Sequence, residues 1–188
     1  MATEKLYDLW ATRNPKWETR YEELLKTFCN YGVGESSLRE ARGKVFGAGY
    51  ELYIVAFFIG LYYNQRRPLI ENVTKRKEFG HPIENWGNIE RRGNRKAYPK
   101  LREFIFTALV ARTDIDFIAL EKGEMTSRKA VDMLMQTMEE YANWGFHFME
   151  DKLTDDPNYF YRETAFLEVF LAFDASPVES IEDDEPDP

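Results

Sequence analysis

One apolar run, from Tyr50 to Tyr63, constrains the fold of this chain more than any other feature of its sequence. An unbroken run of this length exceeds a typical strand, so it predicts a helix even though several of its residues favour sheets. Apolar side chains surround the predicted helix on every side, which puts it at the centre of the fold. The run contains Glu51 and is shorter than the roughly 20 residues that cross a bilayer. We therefore expect a buried core helix and no membrane anchor.

The run stops at the sequence NQRRPL, from Asn64 to Leu69. Pro68 is expected to end the helix because proline lacks an amide hydrogen and holds the preceding residue in extended geometry. Basic side chains at a helix C-terminus interact favourably with the helix dipole and with its free carbonyl groups. This accounts well for one arginine of the pair, Arg66 and Arg67, but it does not account for the nine further cations in the residues that follow, up to Arg102.

Periodic apolar patterns predict further helices on either side of the central one. A helix is expected from Trp17 to Tyr31, with Asn14 as its cap and Pro15 in its first turn. A long helix is expected after Thr126 or Ser127, where either hydroxyl can serve as the cap. The inner stripe of this long helix comprises Val131, Leu134, Met135, Met138, Ala142, Gly145 and Met149.

Length and composition predict one folded domain. The chain has 188 residues, a length that is enough for one core but too short for two ordinary domains. Hydrophobic residues make up 44% of the chain and aromatic residues 15%. We predict a mainly α fold, compact and single-domain, of five or six helices around the central apolar helix, with one long basic loop. This domain is expected to span residues 1–174. Residues 175–188, rich in acids and proline, are expected to form a disordered acidic tail.

Cysteine usage and the N-terminal sequence predict a cytoplasmic location. Cys29 is the only cysteine, so no internal disulfide and no thiolate zinc cluster is expected. The first residues include acids and lack the apolar stretch of a secretory signal. The sequence leaves open whether the chain forms homo-oligomers.

Positive charge is concentrated in one segment of an acidic protein. The net charge is −8, yet residues 64–102 hold 11 basic residues against 4 acids. Aromatic side chains are interspersed with these cations, as in segments that contact phosphates and stack bases. The candidate nucleic-acid-binding residues are Arg66, Arg67, Lys75, Arg76, Lys77, Arg91, Arg92, Arg95 and Lys96. Two alternatives stay open, a solvated loop and a surface that docks an acidic protein.

The sequence holds no enzyme signature, and we expect no catalytic residue, metal site or cofactor. His147 could share a helix face with Glu150 or Asp151, but a metal-binding HExxH pattern is absent, so a solvated histidine is the favoured interpretation. Nucleophile elbows and phosphate-binding loops are also missing. Methionines at helical spacing near the long helix could line a ligand groove, although they more commonly fill a core.

Two stretches together resemble a known family. These are AFFIGLYYNQRRPL, from Ala56 to Leu69, and EYANWGFHFM, from Glu140 to Met149. They are similar to small proteins associated with Dnd systems, the bacterial loci of DNA phosphorothioation and restriction. The matching positions are Gly60, Arg66 or Arg67, Pro68, Leu69, Glu140, Tyr141, Ala142, Asn143 and Gly145. The likeness covers about half the chain, and the polar insertion after Leu69 is longer than the family pattern implies.

The resemblance implies a genomic neighbourhood more than an activity. It favours a non-enzymatic accessory protein of a DNA-modification or phage-defence system that contacts DNA or a DNA-processing protein through the basic loop. The alternative is a protein-interaction module with no nucleic-acid binding.

The motif from Glu140 to Met149 can also be explained by packing, without reference to function. Gly145 inside a helix costs about 1 kcal/mol relative to alanine, and close approach of the central helix would offset this cost. Asn143 and Glu140 are then expected to hydrogen-bond the chain between Gln65 and Arg67, which would join the two motifs into one structural unit.

Overall fold

A computed structural model describes residues 5–29, 46–87 and 100–171 of the protein. Within these ranges the fold is mainly α, as predicted, with seven α-helices and one two-stranded sheet. The elements are α1 (Leu6–Ala11), β1 (Lys16–Glu18), α2 (Glu22–Phe28), α3 (Gly49–Tyr62), β2 (Arg76–Glu78), α4 (Leu101–Arg112), α5 (Phe117–Glu121), α6 (Ser127–Asp155) and α7 (Ala165–Leu171). The helix count exceeds five or six because α1 was not predicted from the sequence. The expected tail, residues 175–188, lies outside the described residues.

The central apolar run forms α3, as predicted. Eight of its 14 residues are buried, and its most extensive packing is against α6. Within the described ranges, no helix combines the length and hydrophobicity needed to traverse a bilayer.

Two glycines allow α3 and α6 to approach with their backbones in contact. Gly60 on α3 faces the carbonyl group of Tyr141, and Gly145 on α6 faces the carbonyl group of Ala56. A Cβ added to either glycine would overlap with the facing carbonyl oxygen. The expectation that close approach of the central helix accounts for Gly145 is therefore confirmed.

The long helix α6 begins and packs as its sequence predicts. The Thr126 side chain caps it by accepting a hydrogen bond from the Lys129 amide at 3.2 Å. All seven residues of the predicted inner stripe are buried. Met135, Met138 and Met149 belong to this stripe and to the hydrophobic core, so these three methionines fill the core.

The predicted helix from Trp17 to Tyr31 is wrong at its start. Residues Lys16–Glu18 form β1, a 3-10 turn follows at Thr19–Tyr21, and the helix begins only at Glu22. Pro15 therefore precedes a strand and is not in a first helical turn. The reason is tertiary, because β1 pairs antiparallel with β2, about sixty residues later, and Trp17 lies opposite Lys77.

The strands β1 and β2 form a short ribbon beside α6. Beyond β2, a 3-10 turn at Ile83–Asn85 buries Ile83 and leads into buried Trp86. The Trp86 ring stacks on Tyr50 of α3, with 5.6 Å between ring centroids. We call residues 64–102 the basic segment. Its described first part, residues 64–87, therefore packs against the core at both ends.

Candidate nucleic-acid interface

The chain leaves α3 through a left-handed residue and then crosses α6. Asn64 has a φ of 51°, a conformation that asparagine adopts more readily than most residues. The Gln65 amide donates a hydrogen bond to the Gly60 carbonyl at 2.9 Å, which closes the end of the helix. We call residues 65–70 the strap.

The main chain of the strap is bound to α6 on both sides of Arg67. The Arg67 amide donates to the Glu140 carbonyl at 3.0 Å. The Asn143 side-chain amide donates to the carbonyls of Arg67 and Pro68, at 3.2 and 3.0 Å. The expected contact between the two sequence motifs is thus confirmed, with the Glu140 backbone, not its carboxylate, as the acceptor.

A buried carboxylate, Glu18, completes this network. Only 6% of Glu18 is exposed. One of its oxygens accepts hydrogen bonds from the Asn143 side chain at 2.9 Å and from the Ile70 amide at 2.8 Å. The other oxygen pairs with the Arg20 guanidinium at 3.1 Å. A buried charge is tolerated only with such partners. Glu18 was not predicted as a site residue, because nothing in the surrounding sequence marks it as buried.

The two arginines of the strap have different environments. The Arg66 guanidinium lies over the Tyr141 ring, 4.7 Å from its centroid, and donates a hydrogen bond to the Arg112 carbonyl. Arg66 thereby connects the strap to the end of α4. The guanidinium of Arg67 has no hydrogen bond or ion pair to any described residue.

Arg67 lies near the hydroxyl of Tyr21. Burial raises the pKa of Tyr21 to about 12, and the hydrogen bond from Arg20 and the positive charges of Arg20 and Arg67 oppose this rise. The Tyr21 hydroxyl also donates to the Asn143 carbonyl at 3.3 Å. Arg20, which lies outside the predicted basic segment, therefore adds a cation to this part of the surface.

The cations of the ribbon are also unequally engaged. Arg76 donates from its guanidinium to the carbonyls of Ile70 and Leu69, which secures the strap from the other side. Lys77 forms an ion pair with Glu22 at 2.7 Å. Lys75 is exposed, and its ammonium has no partner among the described residues. The remaining candidates, Arg91, Arg92, Arg95 and Lys96, lie outside the described residues.

An open cleft of about 310 Å³ lies on the ribbon. It is lined by Lys16, Val73, Arg76, Lys77 and Glu78, three cations and one acid among them. Val73 at its edge is 73% exposed. The net positive lining makes the cleft suitable for an anionic group.

A carboxylate of α6, Glu139, lies beside this cleft. One of its oxygens accepts a hydrogen bond from the Lys16 amide at 2.8 Å. Burial raises the pKa of Glu139 to about 6, while the hydrogen bond from the Lys16 amide and the positive charges of Lys16 and Arg76 act in the opposite direction. The negative charge of Glu78 adds a further small rise. Three residues that line the cleft thus act electrostatically on Glu139.

The histidine noted in the sequence, His147, lies elsewhere on α6. It is within 3.9 Å of Glu150 and 3.5 Å of Asp151, and its side chain is one-third exposed. It does not line the ribbon cleft. In the described part of the chain, no three His, Cys, Asp or Glu side chains are grouped to hold a metal ion.

Comparison with known proteins leaves the chain without a match among family models, curated proteins or solved structures. Its function must therefore be inferred from its own residues.

Proposed function

We propose that this chain is a non-enzymatic accessory protein of a bacterial DNA-modification or defence system, and that it contacts the phosphate backbone of DNA through its basic segment. The observation that carries the proposal is the state of Arg67. Its main chain is held by Glu140 and Asn143, while its guanidinium has no acceptor among the described residues. A fixed backbone with an unsatisfied charged group is suited to binding an external anion.

Two neighbouring features support this proposal. Lys75 is exposed and unpaired within the described ranges. Arg20, although it is paired with Glu18, adds a second positive charge beside Tyr21, on which Arg67 also acts. Phosphate oxygens accept hydrogen bonds from such side chains without regard to base sequence. The genomic setting rests on the resemblance of the NQRRPL and EYANWG motifs to Dnd-associated proteins.

A protein partner is the second candidate, and one observation favours it. Arg66, Arg76 and Lys77 already bond to protein acceptors, which leaves fewer free cations for a long phosphate backbone. In this case the basic segment would dock an acidic protein surface, and the chain would bind no nucleic acid.

Binding measured over a range of salt concentrations separates the two candidates. Fluorescence anisotropy with labelled duplex and single-stranded DNA is expected to show affinity that falls steeply with salt, because each phosphate contact contributes about 0.9 to the slope for duplex DNA. The double variant Arg67→Gln, Lys75→Gln should reduce that slope by about 2. Lys122→Gln is the matched control, because Lys122 is an exposed cation outside the basic segment. Absence of DNA binding at low salt would leave the protein-interaction candidate.

A further inference from the structure

Glu139 is a partly buried carboxylate whose negative charge does not stabilise the fold. Glu18, the buried acid of this region, has an ion pair to Arg20 and accepts hydrogen bonds from two donors. Glu139 receives one hydrogen bond, from the Lys16 amide, and has no ion pair within the described ranges. A glutamine would accept the same hydrogen bond, so the fold gains nothing from the negative charge.

The charge of Glu139 does affect the ribbon cleft. The charged groups facing it are Lys16 from β1 and Arg76 and Glu78 from β2, and all three line the cleft. From α3, the titratable group is Tyr53, whose hydroxyl is fully buried and whose pKa is raised well above its usual value by burial and by Glu139. Tyr53 is therefore neutral, and Glu139 is the group here whose charge changes in the mildly acidic range.

We propose that the ribbon cleft holds a phosphodiester of bound DNA against Lys16 and Arg76, and that protonation of Glu139 strengthens this contact as the pH falls. The inference rests on the proposed DNA binding and adds to it a second contact and a control by protons. Lys16 lies outside the segment predicted from the sequence and enters the site only because β1 pairs with β2.

The direction of the effect follows from the charges. When Glu139 is ionised, the cleft region carries an additional negative charge that repels a phosphodiester, which itself stays ionised across this pH range. When Glu139 is protonated, its repulsion is removed, and the acid that remains in the cleft lining is Glu78, which pairs with Lys16 at 3.9 Å. The change is centred near pH 6, where Glu139 has its pKa of about 6.

The test compares DNA affinity at about pH 7.5 and about pH 5.5 at constant low salt, measured by anisotropy on the full chain. Both histidines, His81 and His147, are replaced by glutamine in every protein tested, so that the comparison is made in the absence of imidazole groups. The parent for these comparisons is the protein in which only the two histidines are replaced. We expect Glu139→Gln in this parent to bind DNA about 5-fold more tightly than the parent itself at the higher pH, and equally at the lower pH. Glu121→Gln, an exposed change on α5, should have the same ratio of DNA affinities at the two pH values as the parent.

A second variant tests the cleft itself. In the Glu139→Gln background, Lys16→Gln should remove most of the affinity gained at the higher pH, whereas Lys122→Gln should not. DNA binding whose pH dependence is the same in the parent and in Glu139→Gln would overturn this inference and leave the proposed function intact. Absence of DNA binding at both pH values would overturn both.

Discussion

Gly145 of α6 lies against the main chain of Ala56 in α3, so close that a Cβ on the glycine would be 2.8 Å from the Ala56 Cα. The reciprocal contact, Gly60 against Tyr141, lies one helical turn later in α3 and one turn earlier in α6. Because both neighbours are backbone atoms of long helices, neither can move aside as a flexible side chain would. The two helices are therefore fixed in one register.

We predict that Gly145→Ala destabilises the protein by about 3 kcal/mol, although alanine favours a helix by about 1 kcal/mol over glycine. Overlap with the Ala56 carbonyl outweighs the gain in propensity. Gly60→Ala should have a similar effect, and urea denaturation measures both. The matched control is Gly80→Ala, because no atom lies within 4 Å of a Cβ at that position. Equal stabilities for Gly145→Ala and Gly80→Ala would contradict the close contact.

Replacing each of the two strap arginines by glutamine should show that Arg66 contributes to the stability of the fold and that Arg67 does not. Arg66→Gln removes the contact with the Tyr141 ring and the hydrogen bond to Arg112, and should cost about 1 kcal/mol of unfolding free energy. Arg67→Gln should change stability by less than about 0.5 kcal/mol, because its guanidinium has no described partner. Thermal and urea unfolding of the two variants provide the comparison, and the reverse order of stabilities would count against the assignment of roles.

Asn143→Ala should destabilise the protein by about 3 kcal/mol, because buried acceptors that lose their partners keep the cost of desolvation. The change removes donors to the carbonyls of Arg67 and Pro68 and to the buried Glu18 carboxylate. Asn85→Ala, an exposed change, should be nearly neutral when measured in the same urea titration. The strap should also be cleaved faster by proteases in Asn143→Ala than in Asn85→Ala, and equal rates would argue against its attachment through Asn143.

The charge of Glu139 should lower stability at neutral pH. Its pKa is raised from 4.5 to about 6 on folding, so the folded state binds this proton more tightly than the unfolded state. The ionised side chain is therefore unfavourable above about pH 6, and the cost disappears as the pH falls below 4.5. Glu139→Gln should be about 1–2 kcal/mol more stable than wild type near pH 7.5, with no difference near pH 4. Denaturation at several pH values checks this, and a constant difference across that range would refute it.

The parts of the fold that could be predicted depend on local periodicity. The α6 stripe and the Thr126 cap are spaced along one continuous helix, so their pattern is visible in the residues themselves. The start of the second helix was mispredicted because β1 is three residues long and forms only by pairing with β2. A strand of that length has too few residues to show alternation, and the apolar spacing of Trp17 and Tyr21 fits a helix equally well.

The sequence motifs of the candidate site could be predicted, whereas the roles of its individual side chains could not. Gly145 could be linked to the central helix from the sequence, because the cost of glycine inside a helix predicts the close approach of a neighbouring element. Nothing in the residues themselves distinguishes Arg66 from Arg67, and their different environments follow from the fold around the strap. Glu18, Lys16 and Glu139 enter the site only through tertiary pairing.

Glu18 and Asn143 are 125 positions apart along the chain, yet they share a hydrogen bond at 2.9 Å, and Asn143 also binds the strap 75 residues before it. During synthesis, therefore, the first half of the protein leaves the ribosome before Asn143, the residue that hydrogen-bonds both Glu18 and the strap. The nascent chain cannot close its core until most of α6 has emerged, because contacts this distant in sequence form late and together.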